Sequence, residues 1–501
     1  MFQRLSFRIA ALVLATLCLV AAIEAWLTGL NSGSPVARVA SVVAAAVGVW
    51  VGLSALIPAL VTWPLKRMRP VAHTWETLGR RDALDRNGQL QAPRFAGLGL
   101  ALVLWGGVCL AANVFGNALG PPPVSLDDQG AYLERAQKMA SANGAMFTLP
   151  ELFLDLRSGK FREDNRHPLF LGLLALKPVE EWGRMLAWTF GVAAFVTGVW
   201  MVWRRFSPLA AGIFAILLGM NHNLGAFSVM VVCETLLIWC VSLSYFALLP
   251  PTSTSRSLGR RRLRIMQASI YLGLAYLTKA TGLLFFAVFL AWLAWQCRPR
   301  RSDVEIPAEV EDVAVISLTE AYPLRQWIIA MICGLIGFVV VASPLLERNM
   351  RVFGNPFHNV NSLLLFADDY SEFDNLLRGG VTTGEAAEDY FRSHTPGQMI
   401  DRELRGLVWE AFIMLRTLGP QGLDDGRIIF GLPIALFCGI GLWFERRPAK
   451  WLLVGWILAA WLTFAWYVPI AAGDRFPIPL LLPVLAHAAD GMARTLRALR
   501  A

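Results

Sequence analysis

Charge is what this sequence has least of. Asp, Glu, Lys and Arg make up 16% of its 501 residues and hydrophobic residues 56%, where a soluble domain carries roughly a quarter charged. With a mean hydropathy of +0.52, the shortage points to a membrane as the solvent. Cysteine is also scarce. The seven are Cys18, Cys109, Cys233, Cys240, Cys297, Cys333 and Cys438; they sit in or beside apolar runs and never form a CxxC pair. That excludes a disulfide framework or a zinc site as the organising device and leaves them as small buried hydrophobes. Acidic residues are outnumbered, giving a net charge of +9, yet the basic residues gather in short clusters between apolar runs rather than along one stripe. That distribution follows the positive-inside rule and argues against nucleic acid as a partner. No internal repeat is visible.

What is present is a series of apolar runs. A span needs roughly 20 such residues, and candidates lie near 8–29, 38–63, 95–117, 184–203, 208–227, 229–249, 266–279, 281–297, 327–346, 427–444, 451–471 and 477–493. The expected architecture is therefore an all-α integral membrane protein of about twelve transmembrane helices. The opening MFQRLSFR before an apolar run resembles a signal peptide, but the second run at 36–63 favours an uncleaved first span. The stretch 168–176 is too short to span and reads as re-entrant or interfacial. With a cytoplasmic N-terminus, alternation places inside the clusters Lys66/Arg67/Arg69/Arg80/Arg81, Arg204/Arg205, Arg260/Arg261/Arg262/Arg264, Arg298/Arg300/Arg301, Arg446/Arg447/Lys450 and Arg494/Arg497/Arg500. The short outside turns then hold only Arg38, Lys279 and Arg475. Two long segments, 118–183 and 347–426, fall outside, and 298–325 reads as a linker inside. The organisation expected is 1–94 as a two-span addition with a basic cytoplasmic loop, 95–346 as a catalytic module that includes 118–183, 347–426 as a second outside loop, and 427–501 as the last spans. Neither long outside segment contains an Asn-x-Ser/Thr sequon, which points to a bacterial inner membrane.

Polar residues that could carry chemistry fall at one face of this topology. After Pro121-Pro122-Pro123, the run Leu126-Asp127-Asp128-Gln129 leads into Tyr132 and Ala136. Asp128 can be read as an N-cap for a helix starting near Gln129, or as a general base or acceptor-organising carboxylate at the membrane surface. Arg166-His167-Pro168 precedes an apolar run and serves either as an interfacial anchor or as a grip on an anionic phosphate. Lys279 lies in a tight turn between apolar runs, and Glu234-Thr235 near the outer end of another; snorkelling competes with a functional role. Ser343-Pro344 through Glu347-Arg348-Asn349 reads as the end of a span, and Asp474-Arg475 separates the last two. The 366–370 run Phe-Ala-Asp-Asp-Tyr reads as a solvated turn, and 402–418 as an interfacial helix closing over the first loop.

These residues resemble the GT-C superfamily of polyprenyl-phosphate-dependent glycosyltransferases, in the protein O-mannosyltransferase and aminoarabinose transferase branch. The branch shows an Asp in its first extracytoplasmic loop, an aromatic four residues later and an Ala eight later, and Asp128, Tyr132 and Ala136 match. The acid usual directly after the Asp is Gln129 here, while Asp127 precedes it; register favours Asp128 over Asp127 as the catalytic carboxylate. Arg166-His167-Pro168-Leu169, Glu234-Thr235, Gly273 through Thr278-Lys279 to Gly282, Pro344 through Arg348-Asn349 to Gly354, and Arg475 through Pro477 to Pro479 resemble later elements, over about residues 95–490. The resemblance implies a GT-C-like fold and inverting transfer of a sugar from a polyprenyl-phosphate donor to an acceptor hydroxyl on the extracytoplasmic face. It implies Asp128 or Asp127 as the catalytic acid residue, and Arg166, His167, Lys279, Arg348 and Arg475 at the donor phosphate, with Tyr132, Glu234 and Asn349 beside them. A divalent cation stays open, because some members use one and this branch need not. The partners implied are the lipid-linked donor, membrane lipid and a protein, lipid or glycan acceptor. A transporter or lipid flippase, a polysaccharide polymerase or ligase, and a binding or scaffold role are the rival readings.

Overall fold

The structure, a computed structural model, describes residues 94–119, 126–141, 148–249, 258–296, 324–420, 427–470 and 473–498. The expected spans at 8–29 and 38–63, the first basic cluster, the three prolines and the 298–325 linker lie outside the described residues. Among the described residues every regular element is helical. The chain runs through α1 (Arg94–Leu119), α2 (Leu126–Ser141), α3 (Leu149–Ser158), α4 (Pro168–Ala175), α5 (Glu180–Arg205), α6 (Pro208–Gly219), α7 (His222–Phe227) and α8 (Glu234–Leu248). It continues with α9 (Leu258–Thr278), α10 (Thr281–Gln296) and α11 (Leu324–Phe353), and a 3-10 turn at Val360–Phe366. Then come α12 (Tyr370–Arg378), α13 (Thr383–Ser393), α14 (Pro396–Thr417), α15 (Arg427–Phe444), α16 (Ala449–Tyr467) and α17 (Leu481–Ala498).

α1, α5, α11, α15 and α16 are long and apolar enough to cross a membrane, and α6, α8 and α10 are shorter apolar helices. Their outer faces are apolar too. On α1, Leu100, Leu104, Trp105 and Val108 are all more than half exposed, and on α11 Ile336 and Val340 are also exposed. A contiguous apolar surface of this kind is unfavourable in water and favourable against lipid. The chain is an integral membrane protein.

Helix association inside lipid depends on close approach rather than on a hydrophobic drive, and α1 against α6 shows how the sequence arranges it. Gly99 and Gly106 on one helix face Gly212 and Gly219 on the other, each pair about two turns apart. A Cβ added at Gly219 would lie 2.2 Å from the carbonyl oxygen of Gly106. The run expected as one span at 208–227 is broken here into α6 and α7. The break is affordable because its polar groups find partners. Asn113 on α1 donates to the carbonyls of Gly219 (3.2 Å) and Asn221 (2.7 Å), and Asn221 caps α7 by accepting the Leu224 N–H at 3.0 Å. Unpaired, those carbonyls would each cost several kcal/mol in an apolar interior.

Two other boundaries differ from expectation. α9 starts at Leu258, ahead of the basic cluster at 260–264, so the helix at the span expected at 266–279 is longer than its apolar run. α11 passes through Ser343-Pro344 without ending and runs to Phe353. At about 1.5 Å per residue its 30 residues exceed the roughly 30 Å of a hydrocarbon core, so the helix does not fit upright within that core. The short stretch at 168–176 forms α4, whose Phe170, Leu171 and Leu174 are buried.

The second long segment is well structured. Asp369 caps α12 by accepting the Glu372 N–H at 2.8 Å. Asp368, expected in a solvated turn, binds Arg402 of α14 at 3.0 Å and His394 at 2.8 Å. Arg402 in turn lies over the Trp466 ring of α16, 4.8 Å from its centroid. α14 packs tightly on α16: a Cβ at Gly406 would sit 1.9 Å from the Ala465 carbonyl oxygen.

One buried acid on α14 carries a prediction. Glu410 is 0% exposed, and neither of its carboxylate oxygens has a hydrogen-bond partner. Burial first, and then the nearby Asp474 charge, push its carboxyl up to about 8. The folded chain therefore holds a proton that the unfolded chain releases in the ordinary carboxylate range, so stability falls as pH rises towards about 8. Glu410→Leu removes both this pH dependence and an unpaired polar group, which costs about 1–3 kcal/mol when buried. Thermal unfolding should show the variant more stable than the parent, and more so at pH 8 than at pH 5. Parallel pH curves, or a less stable variant, would refute this.

Candidate functional site

Five of the polar residues singled out in the sequence, Asp128, Arg166, Glu234, Lys279 and Arg475, come from five separated stretches and meet at one end of the bundle. α2 begins at Leu126, so Asp128 sits inside its first turn. The cap reading is corrected accordingly: Asp128 is helical, and both its carboxylate oxygens accept from guanidinium groups. Arg166 donates through Nη2 to Oδ1, and Arg475 through Nη1 to Oδ2. The side chain of Asp127 lies outside the described residues.

Glu234 opens α8 beneath this pair and is 1% exposed. Its Oε1 accepts from Lys279 at 2.9 Å and lies 3.5 Å from Nε of Arg475. Lys279 reaches it because α9 ends at Thr278 and α10 starts at Thr281, leaving a two-residue turn. The Lys279 ammonium also stands 5.8 Å from the Phe476 ring centroid. Arg475 is thus shared by both carboxylates. Burial alone would lower its pKa, but the charges of Glu234 and Asp128 more than offset that and hold it above its ordinary value.

Tyr132 forms the wall. It follows Asp128 by one helical turn, is buried, and lies 5.1 Å beneath the Arg166 guanidinium. Its hydroxyl donates to Sγ of Cys233 at 3.1 Å, and its ring meets Phe170 edge-on at 5.4 Å. Gln129, in the position where the resemblance leads one to expect an acid, is buried and accepts the Val231 N–H at 3.0 Å. It ties α2 to the approach of α8, a role open to an amide or carboxylate oxygen alike.

The other three candidates make none of these ion pairs and bond to backbone carbonyls instead. His167 occupies the N-cap position of α4 without a side-chain capping bond, and its Nδ1 hydrogen bonds to the Tyr276 carbonyl, which can only accept. Burial pushes the imidazole down to about 4, with Arg348 and Lys279 acting the same way against the carbonyl's pull upward. That shift favours the neutral imidazole, so charge at this end of the bundle comes from the neighbouring Arg166 and Lys279 rather than from His167. Arg348 and Asn349 belong to the last turns of α11 rather than to a loop. Arg348 donates to the Glu163 carbonyl at 2.6 Å and is flanked by the rings of Phe161 (5.2 Å) and Phe353 (5.3 Å). Asn349 donates to the carbonyls of Pro356 and His358 at 3.1 and 3.2 Å, folding the chain back after α11.

Two residues unmarked in the sequence support the site. Glu163 accepts the backbone N–H groups of Asn165 and Arg166 through Oε1, at 3.2 and 3.0 Å, and binds Arg135 through Oε2 at 2.6 Å. It shapes the turn that delivers Arg166. Asn165 accepts from Arg166 Nη1 at 3.0 Å and from Asn361 Nδ2 at 3.0 Å, so the second long segment touches the first beside Arg166. The only advance signal was the local run Glu163-Asp164-Asn165 before a proline-started helix, which marks a turn and says nothing about its long-range partner.

Chemically, the cluster holds three cations, Arg166, Lys279 and Arg475, against two carboxylates, Asp128 and Glu234. The surplus positive charge suits an anion. It does not suit a divalent cation: both oxygens of Asp128 already face guanidinium groups, and among the described residues no three His, Cys, Asp or Glu side chains gather as metal ligands.

No protein-family model matches the chain, and no curated protein matches it. Among solved structures it is similar to ArnT from Cupriavidus metallidurans bound to undecaprenyl phosphate, with 16% identity, TM-score 0.46 and coverage of 79% of this chain and 60% of that one. It is also similar to the archaeal oligosaccharyltransferase AglB from Archaeoglobus fulgidus, in complex with an inhibitory peptide and a dolichol-phosphate. There the identity is 11%, the TM-score 0.45, and the coverage 80% of this chain and 50% of that one. The chain thus spans about half to three fifths of the length of these proteins. At these values the roles of individual residues rest on their own geometry.

Proposed function

We propose that the protein is a GT-C-like glycosyltransferase that moves a sugar from a polyprenyl-phosphate donor to an acceptor hydroxyl at the extracytoplasmic end of its bundle. The observation that carries this reading is the Asp128 carboxylate held between Arg166 and Arg475, beside the Lys279–Glu234 pair, where apolar helices end. An anionic phosphate entering there competes for the guanidinium donors and frees an oxygen of Asp128. The acceptor hydroxyl then gives its proton to that oxygen as its own oxygen bonds to the anomeric carbon. The bond from that carbon to the phosphate oxygen breaks, its electron pair leaving with the polyprenyl phosphate, and attack from the opposite side inverts the configuration. Arg166, Lys279 and Arg475 stabilise the charge that develops on the leaving group.

The topology belongs to the same proposal. Arg205, Glu445 and Arg447 form the opposite end of the bundle, where Arg447 donates to the Arg205 carbonyl at 3.2 Å and Arg205 to the Leu249 carbonyl at 2.6 Å. A basic end inside and the Asp128 cluster outside satisfy the positive-inside rule. About twelve spans, with the catalytic module at 95–346, the outside loop at 347–426 and the last spans at 427–501, complete the arrangement, in a bacterial inner membrane. A transporter is less well supported, because its polar site belongs near the midplane on broken helices, whereas these charges cluster at one end.

The test has two parts. Single cysteines at positions 140 and 385 should react with an impermeant thiol reagent in spheroplasts; reaction only after lysis would put the site in the cytoplasm. The purified protein, screened against polyprenyl-phosphate sugars, should release polyprenyl phosphate and a glycosylated acceptor. Turnover of a nucleotide-sugar donor, or of none in the lipid-linked set, would overturn the assignment.

A further inference from the structure

The residue before Arg475 is anchored independently, by cations of two other helices. Asp474 is 12% exposed at its side chain and accepts from Nε of Arg416 at 2.8 Å through one oxygen and from Nη1 of Arg427 at 2.9 Å through the other. Arg416 lies in the last turn of α14 and Arg427 is the first residue of α15. The turn that follows is held by the Phe476 N–H donating to the Gly473 carbonyl at 3.2 Å, and by the Phe476 ring stacking on Phe464 at 4.8 Å. Adjacent side chains on one short turn are thus tied to different elements: Asp474 to the end of α14 and the start of α15, Arg475 to α2 and α8.

We propose that Asp474 is a positioning residue for Arg475: pinned by Arg416 and Arg427, it fixes the backbone from which the next side chain reaches Asp128 and Glu234. This rests on the reading of Arg475 as a cation of the donor site. A cation that must meet charge developing in a transition state is sensitive to placement, and a displacement of about 1 Å can cost on the order of 10²-fold in rate. Asp474 also makes the second long segment a support of the site rather than a cover alone, since α14 carries one of its two anchors.

A double-mutant cycle and one activity-independent readout test this. Asp474→Asn keeps the shape and loses the charge that holds two guanidinium groups, and should lower kcat/KM by about 10- to 100-fold. In an Arg475→Ala background the same change should cost less than about twofold, because residues acting through one another are non-additive. Asp474→Glu, which keeps the charge, should recover part of the loss. Full additivity would overturn the proposal while leaving the transferase reading intact, as would an impaired Asp474→Asn beside an unimpaired Arg475→Ala. The second readout is a spin label at Gly473→Cys, where an added Cβ meets nothing closer than 3.9 Å. Its spectrum should sharpen in Asp474→Asn and stay broad in Asp128→Asn. An unchanged label spectrum sinks the proposal whether or not the protein transfers sugar, and a sharpened one supports it even if the donor reading fails.

Discussion

Asp128→Asn is expected to fold normally and to lose about 10²–10⁴ in turnover, the usual contribution of a general base. The substitution keeps the side-chain shape, and the remaining amide oxygen can still accept from one of the two guanidinium groups that now share the carboxylate. What disappears is the basic oxygen and the charge that pairs with Arg166 and Arg475; because these side chains are part-exposed, unlike fully buried Glu234, each pair contributes on the order of 1 kcal/mol and the helix dipole about 0.3–1 kcal/mol more. Stability should therefore change little beside the loss in rate. Asp127→Asn is the internal control. Successive helical residues point about 100° apart, so the two aspartates cannot both aim at Arg166 and Arg475, and Asp127→Asn should stay within a few-fold of the parent. Turnover of both variants with a defined lipid-linked donor decides it. If Asp127→Asn is dead and Asp128→Asn active, the register is off by one; if both are active, neither is the base.

The sequence made this cluster legible because a membrane protein has little charge to spend. In a chain with 16% charged residues, an acid or base at the end of an apolar run is conspicuous, and Asp128, Arg166, Glu234, Lys279 and Arg475 were all found that way. The same signal cannot tell a free cation from one already engaged. Arg348 and His167 look like Arg166 in sequence, yet their partners are the carbonyls of Glu163 and Tyr276, and carbonyls leave no mark in a residue string. Element boundaries failed for a related reason. Hydropathy locates where a chain is apolar, not where its backbone is satisfied, so the break between α6 and α7 depends on Asn113, more than a hundred residues away. The run of α11 past Pro344 was hidden similarly, since a proline inside a helix usually reads as its end. The role of Asp474 left no mark in the sequence because its two partners, Arg416 at the end of α14 and Arg427 at the start of α15, lie more than forty residues away, and nothing local distinguishes it from a solvated turn residue.

Glu234→Gln should do what Asp128→Asn does not, and damage the fold itself. Glu234 is buried, and its Oε1 serves both Lys279 and Arg475 while Oε2 has no partner. An amide keeps the volume but removes the one charge that balances Lys279 and half of what balances Arg475. Breaking a buried ion pair by deleting one partner costs about 3–5 kcal/mol, because the remaining charge is left uncompensated. Here two cations are left, with Arg166 nearby through Asp128, so the loss belongs at the upper part of that range. Activity should fall in parallel with stability. The cause can be isolated by removing the stranded charge as well: Glu234→Gln with Lys279→Met leaves an uncharged pair of similar volume and should be more stable than Glu234→Gln alone, a non-additive result expected only of residues that interact. Lys279→Met by itself should cost less than Glu234→Gln, since Arg475 still neutralises Glu234. Thermal unfolding of the three variants and the parent, in one detergent at one pH, gives the comparison. Additive losses, or a Glu234→Gln protein as stable as the parent, would mean that Glu234 does not hold the two cations together.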